Sequence, residues 1–202
     1  MNALPRDLSA LISSRICHDL INPIGAISNG LELLETIGKG WGPELDLVAD
    51  SVANASAKIN YFRIAFGDSA AESELRAAVV SKTIGDMFNA TRLKTDIEII
   101  GEAVPRPDTK LLLLVLLCLD AALPLGGMLT VRRTDGKWVI AGKGGRTKFD
   151  ADLWQMLATG EAHIQVGAGE VQFAVACQTV IETGLRVVPE FDETGATIEI
   201  RR

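Results

Sequence analysis

The residues best suited to chemistry lie close together near the start of this 202-residue chain. His18 is followed directly by Asp19, and Pro23 comes five positions after the histidine. A neutral imidazole nitrogen is nucleophilic near neutral pH, and an adjacent carboxylate can hydrogen-bond the other ring nitrogen or accept its proton. Asn22, one helical turn further on, is placed to orient a water or a phosphoryl group. These residue types suit phosphoryl transfer through His18, with Asp19 and Asn22 as its catalytic partners.

The segment 8–37 has the apolar spacing of an amphipathic helix, and His18 is predicted to face away from its apolar stripe. The stripe consists of Ile12, Ile16, Leu20, Ile24, Ile27, Leu31 and Leu34. The opposite face is predicted to bind a partner protein and carries Ser14, Arg15, Asn22, Gly25 and Asn29, with Ile21 on its flank.

Pro23 is unusual inside such a helix. It cannot donate a hydrogen bond to the carbonyl of Asp19, and its ring pushes that carbonyl aside, so we expect a bend beside His18. Gly25 is also unfavourable in a helix interior, but on the histidine face it leaves room for another protein's backbone. Both residues fit a segment shaped for docking.

A second helical pattern follows a glycine-rich turn at Gly38, Gly40 and Gly42. Its apolar residues keep a strict three-four alternation, typical of a bundle seam, at Leu45, Val48, Val52, Ala55, Ile59, Phe62 and Phe66. The two helices predict an antiparallel hairpin over residues 1–70. A lone hairpin exposes half of each stripe, so we expect two copies to form a dimeric four-helix bundle.

Residues 71–202 mix helices and strands and predict a two-layer α/β sandwich, which makes the fold class α+β. Helices are expected at 74–93, at 108–123 with Asp108 near its start, at 149–157 and at 171–183. Strands are expected at 96–100, 128–134, 137–142, 185–191 and 196–202, with a turn at Asp135 and Gly136 joining the second to the third.

Composition excludes several classes of function. The net charge is −6 with no run of lysine or arginine, which excludes nucleic acid as a partner. The apolar run 111–119 is too short to span a membrane, and we expect no membrane association and no signal peptide. Three widely separated cysteines without a CxxC pair favour a reducing cytoplasm.

The stretch His18–Pro23 resembles the H-box of two-component histidine kinases, where an acid directly follows the histidine and a proline comes five residues later. The longer string HDLINPIGAISNGLELL is similar to that of the ChpT-type histidine phosphotransferases of alphaproteobacteria. This resemblance implies a homodimer whose second domain is a degenerate kinase ATPase domain. It also implies that His18 receives phosphate from the receiver domain of a hybrid histidine kinase and passes it to response regulator receivers, with Mg²⁺ supplied by the receiver.

The elements that a histidine kinase uses to bind ATP are defective here. The helix at the N-box position contains no asparagine, and Asp120 is its only central polar residue, predicted to mark the exposed side of a buried helix. Ala141 stands where the adenine-binding aspartate is expected, and the phosphate loop is reduced to Gly167 and Gly169, followed almost directly by a helix. We therefore expect the chain itself to bind no nucleotide or other cofactor.

Three other hypotheses remain open at this stage. The alternatives are an ATP-dependent sensor kinase, a non-catalytic ATPase-like module that sequesters a regulator, and a phosphatase aid in which Asn22 directs water to a receiver phosphate. His163, the only other histidine, has no recognisable motif around it, and Trp41, Trp138 and Trp154 are interpreted as packing residues.

Overall fold

The structure is a computed structural model and describes residues 8–37, 43–68, 73–89, 91–161 and 165–202. Trp41, His163, the glycine turn at 38–42 and the expected domain boundary at 70/71 lie outside these residues. The division into 1–70 and 71–202 therefore stays a prediction.

The chain begins with two long helices, α1 (Leu8–Ile37) and α2 (Pro43–Ala65), which pack against each other. Only residues 38–42 join them, and such a connection reaches roughly 20 Å at most. A parallel return would need more than roughly 30 Å along α1, so the pair is an antiparallel hairpin, as the sequence predicts. α1 continues through Pro23 without interruption, and the expected bend there stays a prediction.

The rest of the described chain alternates short strands and helices. The remaining helices are α3 (Ala77–Asn89), α4 (Arg106–Ala122), α5 (Ala151–Thr159) and α6 (Val171–Thr183), and a 3-10 turn (Ala168–Glu170) directly precedes α6. The strands are β1 (Glu74–Arg76), β2 (Leu93–Ile99), β3 (Ala103–Pro105), β4 (Gly127–Thr134), β5 (Lys137–Lys143), β6 (Arg186–Phe191) and β7 (Gly195–Arg201).

Five of the strands form one mixed sheet in the order β2-β4-β5-β7-β6, and β1 pairs with β3 apart from it. β2 and β4 are parallel, and the connection between them includes α4; the other three pairings are antiparallel. The β4–β5 hairpin turns at Asp135 and Gly136, whose φ values of 51° and 76° are the left-handed pair that an Asp-Gly turn favours. This part of the sequence prediction is confirmed.

The core lies between α4 and one face of the sheet. All nine residues from Leu111 to Leu119 are at most 1% exposed. Buried and less buried residues alternate along β5 and β7, as expected of a sheet covered on one face. Gly142 of β5 lets α4 approach closely, because a Cβ there would lie 3.2 Å from the side chains of Leu119 and Leu123.

The C-terminal end of α2 is part of the same core. Tyr61 is fully buried, donates a 2.7 Å hydrogen bond to the carbonyl of Leu113 in α4, and packs edge-to-face on Phe88 of α3. This anchor fixes the hairpin on the second half of the chain, which allows α1 to contact the region just before α6.

Some predicted boundaries are wrong. The expected helix 74–93 is β1, then α3, then the start of β2, because residues 74–76 pair with the distant β3. The expected helix 108–123 begins at Arg106 after Pro105, and Asp108 is a buried residue of its first turn with no side-chain cap. The expected helix 149–157 begins at Ala151, where the side chain of Asp150 accepts the cap hydrogen bonds. Among the described residues, no helix combines the length and apolarity needed to cross a membrane.

Candidate functional site

His18 lies on the surface of α1, with 79% of its side chain exposed. Its Nδ1 is 3.2 Å from Oδ1 of Asp19. A carboxylate can only accept a hydrogen bond, so the proton of the neutral imidazole is placed on Nδ1 and the lone pair on Nε2. The arrangement offers a nucleophilic nitrogen to an incoming electrophile.

The Asp19 carboxylate is held from the other side by Arg15. The Nε of Arg15 donates to Oδ2 of Asp19 at 2.8 Å, and its Nη1 donates to the carbonyl of Gly169 at 2.9 Å. The two side chains are only 16% and 18% exposed. The expectation that Arg15 lies free on the outward face is wrong, because its guanidinium turns toward the 3-10 turn before α6.

The backbone of Asp19 has a partner on α2. Pro23 has no N–H, so the Asp19 carbonyl lacks the hydrogen bond that an uninterrupted helix gives it. Nζ of Lys58 donates to that carbonyl at 3.0 Å. Sequence reasoning missed Lys58, although the carbonyl left free by Pro23 was a signal that a donor must come from elsewhere.

Asp120 of α4 belongs to the same electrostatic neighbourhood. Burial raises its pKa and Asp19 adds to the rise, while Arg92, Arg15 and Lys58 oppose it. An Arg92 guanidinium nitrogen lies 3.5 Å from its carboxylate. The Asp120 side chain is 24% exposed, which is more than any residue from Leu111 to Leu119 but less than the exposed position that the sequence predicts.

The remaining candidate residues on the outward face of α1 are exposed. They are Ser14, Ile21, Asn22, Gly25 and Asn29. Ile21 is 66% exposed. A Cβ at Gly25 would meet nothing within 4 Å, so the fold of this chain does not itself require a glycine there. The structure thus gathers His18, Asp19 and Arg15 into one contact network and leaves the other candidates open to solvent.

Comparisons with known proteins identify the family of the chain. The family profile described as "Histidine phosphotransferase C-terminal domain" matches residues 78–195. The chain is also 33% identical over 186 residues to "Protein phosphotransferase ChpT" of Brucella abortus (strain 2308), covering 90% of this chain and 88% of that protein. The chain belongs to the histidine phosphotransferase family.

A solved structure supports the same assignment for this histidine phosphotransferase. It is described as "1.7 Angstrom Structure of a Bacterial Phosphotransferase" and is 30% identical to this chain. The two superpose with a TM-score of 0.81, covering 100% of this chain and 98% of the other. The fold of the whole chain, hairpin included, is therefore similar to that of a bacterial phosphotransferase.

The positions that correspond by sequence to a kinase's nucleotide-binding motifs lie in β5 and in the turn before α6 of this histidine phosphotransferase. Gly142 packs against leucines of α4, and Ala141 pairs with Thr130 and Thr197 in the sheet. Gly169 lies in the 3-10 turn, where its carbonyl accepts the hydrogen bond from Arg15. α6 begins at Val171, in agreement with the predicted short connection. Within the described ranges, no three His, Cys, Asp or Glu side chains are grouped to hold a metal ion.

Proposed function

We propose that this chain relays a phosphoryl group from the receiver domain of a hybrid histidine kinase to the receivers of response regulators, through a phosphohistidine at His18. It does so without binding ATP. The observation that carries the proposal is the exposed imidazole whose Nδ1 is held by a largely buried carboxylate. An imidazole that serves only as a solvated surface group has no need of a carboxylate fixed in turn by Arg15.

The transfer step follows from the tautomer. The lone pair of Nε2 attacks the phosphorus of the receiver's phosphoaspartate, an N–P bond forms, and the P–O bond to the receiver breaks. The electron pair of that P–O bond returns to the receiver's carboxylate. The proton on Nδ1 stays hydrogen-bonded to Asp19, which stabilises the positive charge that develops on the ring. The second transfer, to a response regulator, is the same step in reverse.

The receiver is proposed to dock on the exposed face of α1 around His18. Ser14, Ile21, Asn22, Gly25 and Asn29 form this face, and Asn22 is positioned to orient the phosphoryl group. Since nothing on this face supplies a cation site, Mg²⁺ is assigned to the receiver. The second half of the chain is interpreted as a degenerate ATPase domain, which is supported by Ala141 at the adenine position and by the loss of the phosphate loop.

A homodimer is proposed because the hairpin leaves large apolar side chains uncovered. Ile24, Leu31, Leu47, Val52 and Ile59 are each about half exposed. They belong to the two helices that the sequence pattern assigns to a bundle seam, and a second hairpin is the simplest apolar surface that covers them. A cytoplasmic location is proposed as well, because Cys17, Cys118 and Cys177 are all free thiols.

The test uses purified components. A receiver phosphorylated with radiolabel is mixed with the wild-type chain, with His18→Ala and with His163→Ala, which removes the only other histidine. We expect label on the wild type and on His163→Ala, in an acid-labile linkage, and none on His18→Ala. Label retained by His18→Ala would remove the proposal.

The same components separate the alternatives. Labelling of the chain by Mg-ATP alone would identify a sensor kinase. A chain that binds the phosphorylated receiver equally well with and without His18, and never becomes labelled, would be a sequestering module. Release of inorganic phosphate that depends on Asn22 but not on His18 would identify a phosphatase aid.

A further inference from the structure

The side chain of Lys58 in α2 provides a hydrogen-bond donor at the position where Pro23 provides none. In an α-helix the N–H of each residue donates to the carbonyl four positions earlier. A residue with an N–H at position 23 would therefore donate to the carbonyl of Asp19. Proline has no N–H, so the Asp19 carbonyl, next to the histidine proposed to accept phosphate, receives no hydrogen bond from position 23 of its own helix. Nζ of Lys58 lies 3.0 Å from that oxygen and donates to it. The donor comes from the other helix of the hairpin, 39 positions along the chain.

We propose that Lys58 is a positioning residue for phosphoryl transfer: its ammonium replaces the hydrogen bond that Pro23 removes and thereby fixes Asp19 against His18. This inference rests on the proposed function and adds a residue that the H-box motif does not contain.

The bond is well placed to act on the reacting ring. Asp19 is held at three points: its carbonyl by Lys58, its Oδ2 by Arg15, and its Oδ1 by Nδ1 of His18. A charge-assisted hydrogen bond from an ammonium is stronger than the hydrogen bond from a backbone N–H that it replaces. Motion of the Asp19 backbone would move the carboxylate, and the carboxylate sets the tautomer and orientation of the imidazole.

The surroundings of Lys58 explain why a cation is tolerated in this half-buried position. Its charge lies close enough to Asp120 to oppose the rise in that carboxyl's pKa, which burial dominates. Lys58 thus donates to the carbonyl of Asp19 and interacts electrostatically with the half-buried carboxylate of Asp120 in α4. These two interactions connect the position in α1 that lacks an N–H with α2 of the hairpin and with α4 of the second half.

The first measurement compares Lys58→Met, which keeps the unbranched stem and removes the donor, with the wild type. We expect the rate of phosphoryl transfer at saturating receiver to fall about ten- to a hundredfold, as misplacement of a catalytic group does, while the receiver concentration at half-maximal rate changes little. Lys58→Arg, which keeps a cationic donor, should restore most of the rate. Lys82→Met is the matched control, since Lys82 makes only an exposed ion pair with Asp86, and it should transfer like the wild type.

A double-mutant cycle with Pro23→Ala isolates the proposed cause. Pro23→Ala returns an N–H to the Asp19 carbonyl, so Lys58→Met should slow transfer much less in that background than in the wild type. If Lys58→Met slows transfer equally in both backgrounds, or in neither, the proposal is overturned. Where Lys58→Met does not fold, Lys58→Leu, whose side chain likewise carries no donor, takes its place in the cycle.

Imidazole nitrogen chemical shifts give a readout that a purely structural role would not move. The wild type should show His18 with its proton on Nδ1, and Lys58→Met should shift His18 toward the Nε2–H form that a free imidazole prefers. An unchanged tautomer alongside a slowed rate would contradict the proposal. Failure of the proposed function is distinguishable, because in that case the wild type itself would acquire no label at His18, whatever occupies position 58.

Discussion

Two helices that both carry apolar side chains have opposite surroundings in this molecule. In α4, the residues from Leu111 to Leu119 are all covered by the chain's own sheet and helices. On α2, Val52 and Ile59 are 46% and 52% exposed although they lie on a regular apolar seam. The difference shows that the described chain covers this stretch of α4 completely, whereas the described part of the hairpin leaves apolar side chains uncovered, and the proposed homodimer rests on these side chains.

The comparison also separates two kinds of residue around His18. Asp19 and Arg15 turn inward, and Arg15 joins the Asp19 carboxylate to the Gly169 carbonyl of the second half, while His18, Ile21 and Asn22 turn outward. In the proposed function, the first group sets the tautomer and orientation of the imidazole, and the second group contacts the receiver. The second half of the chain thus contributes to the site through the Gly169 carbonyl. This carbonyl accepts a hydrogen bond from Arg15, which in turn fixes the Asp19 carboxylate beside His18.

Truncation within the core of α4 should have the largest effect. Leu116→Ala removes a fully buried side chain and should lower the free energy of unfolding by about 2–5 kcal/mol, independently of protein concentration. The control Leu47→Ala, at a half-exposed position, should change the free energy of unfolding little in dilute solution. Chemical denaturation at low protein concentration measures both, and equal losses would contradict the contrast between the regions.

A charge on the hairpin seam should act on association and leave the fold of the single chain intact. Ile59→Asp should raise the dimer dissociation constant about 10- to 100-fold, the effect of losing one buried apolar side chain. Analytical ultracentrifugation measures the constant, and circular dichroism checks the fold. Leu125→Asp, at a similarly exposed apolar position outside the hairpin, is the control that should leave it unchanged.

Removal of the Arg15 side chain, which connects the hairpin to the second half of the chain, should slow phosphoryl transfer. Arg15→Met removes the hydrogen bonds to Asp19 and to the carbonyl of Gly169, and we expect transfer to slow about tenfold, corresponding to one charge-assisted hydrogen bond. Rapid-quench transfer assays measure the rate. Arg63→Met, an exposed arginine near the end of α2, is the comparison variant, and an equal loss in both would show that Arg15 has no special role.

The substitution Gly25→Ala should have a smaller effect, and it should stabilise the fold while slowing phosphoryl transfer. Since a Cβ at this position meets no atom of the described residues within 4 Å, Gly25→Ala should raise the free energy of unfolding by up to about 1 kcal/mol. It should also slow transfer, because the receiver's backbone loses its close approach. Thermal unfolding and the transfer assay are run on the same preparation; stabilisation with unchanged transfer would show that no partner comes close at this point.

The smallest expected effect concerns Asp120. Burial raises its pKa in the folded chain, so between its unfolded and folded pKa values the folded state binds more protons than the unfolded state. Stability therefore falls as pH rises through this window and stays at the lower level above it. Asp120→Asn should flatten that part of the profile and be more stable than the wild type at neutral pH. A neutral-pH loss of stability would mean that its pairing with Arg92 outweighs burial.

Sequence patterns were sufficient where they are local. The bounds of α6 and the Asp135–Gly136 turn follow from apolar spacing and from turn chemistry, and the structure has both as predicted. β1 and β3 were missed because each is three residues long, too short for a periodicity, and each exists only through pairing with the other.

The site shows the same limit. Exposure of His18 follows from the helical wheel of α1 alone. The wheel also placed Arg15 outward, but a long side chain turns toward whatever partner the fold provides, and the Gly169 carbonyl is 154 positions away. Lys58 could have been sought, since an unserved carbonyl needs a donor, but its identity depended on the register of α1 against α2.

The most direct test is a two-receiver chase. A labelled phosphoreceiver loads the wild-type chain, and an unlabelled second receiver is then added while label on each protein is followed in time. We predict that label appears first on His18 of this chain and then passes to the second receiver, with no transfer between receivers when His18→Ala replaces the wild type. Direct receiver-to-receiver transfer at the same rate with His18→Ala would contradict the account.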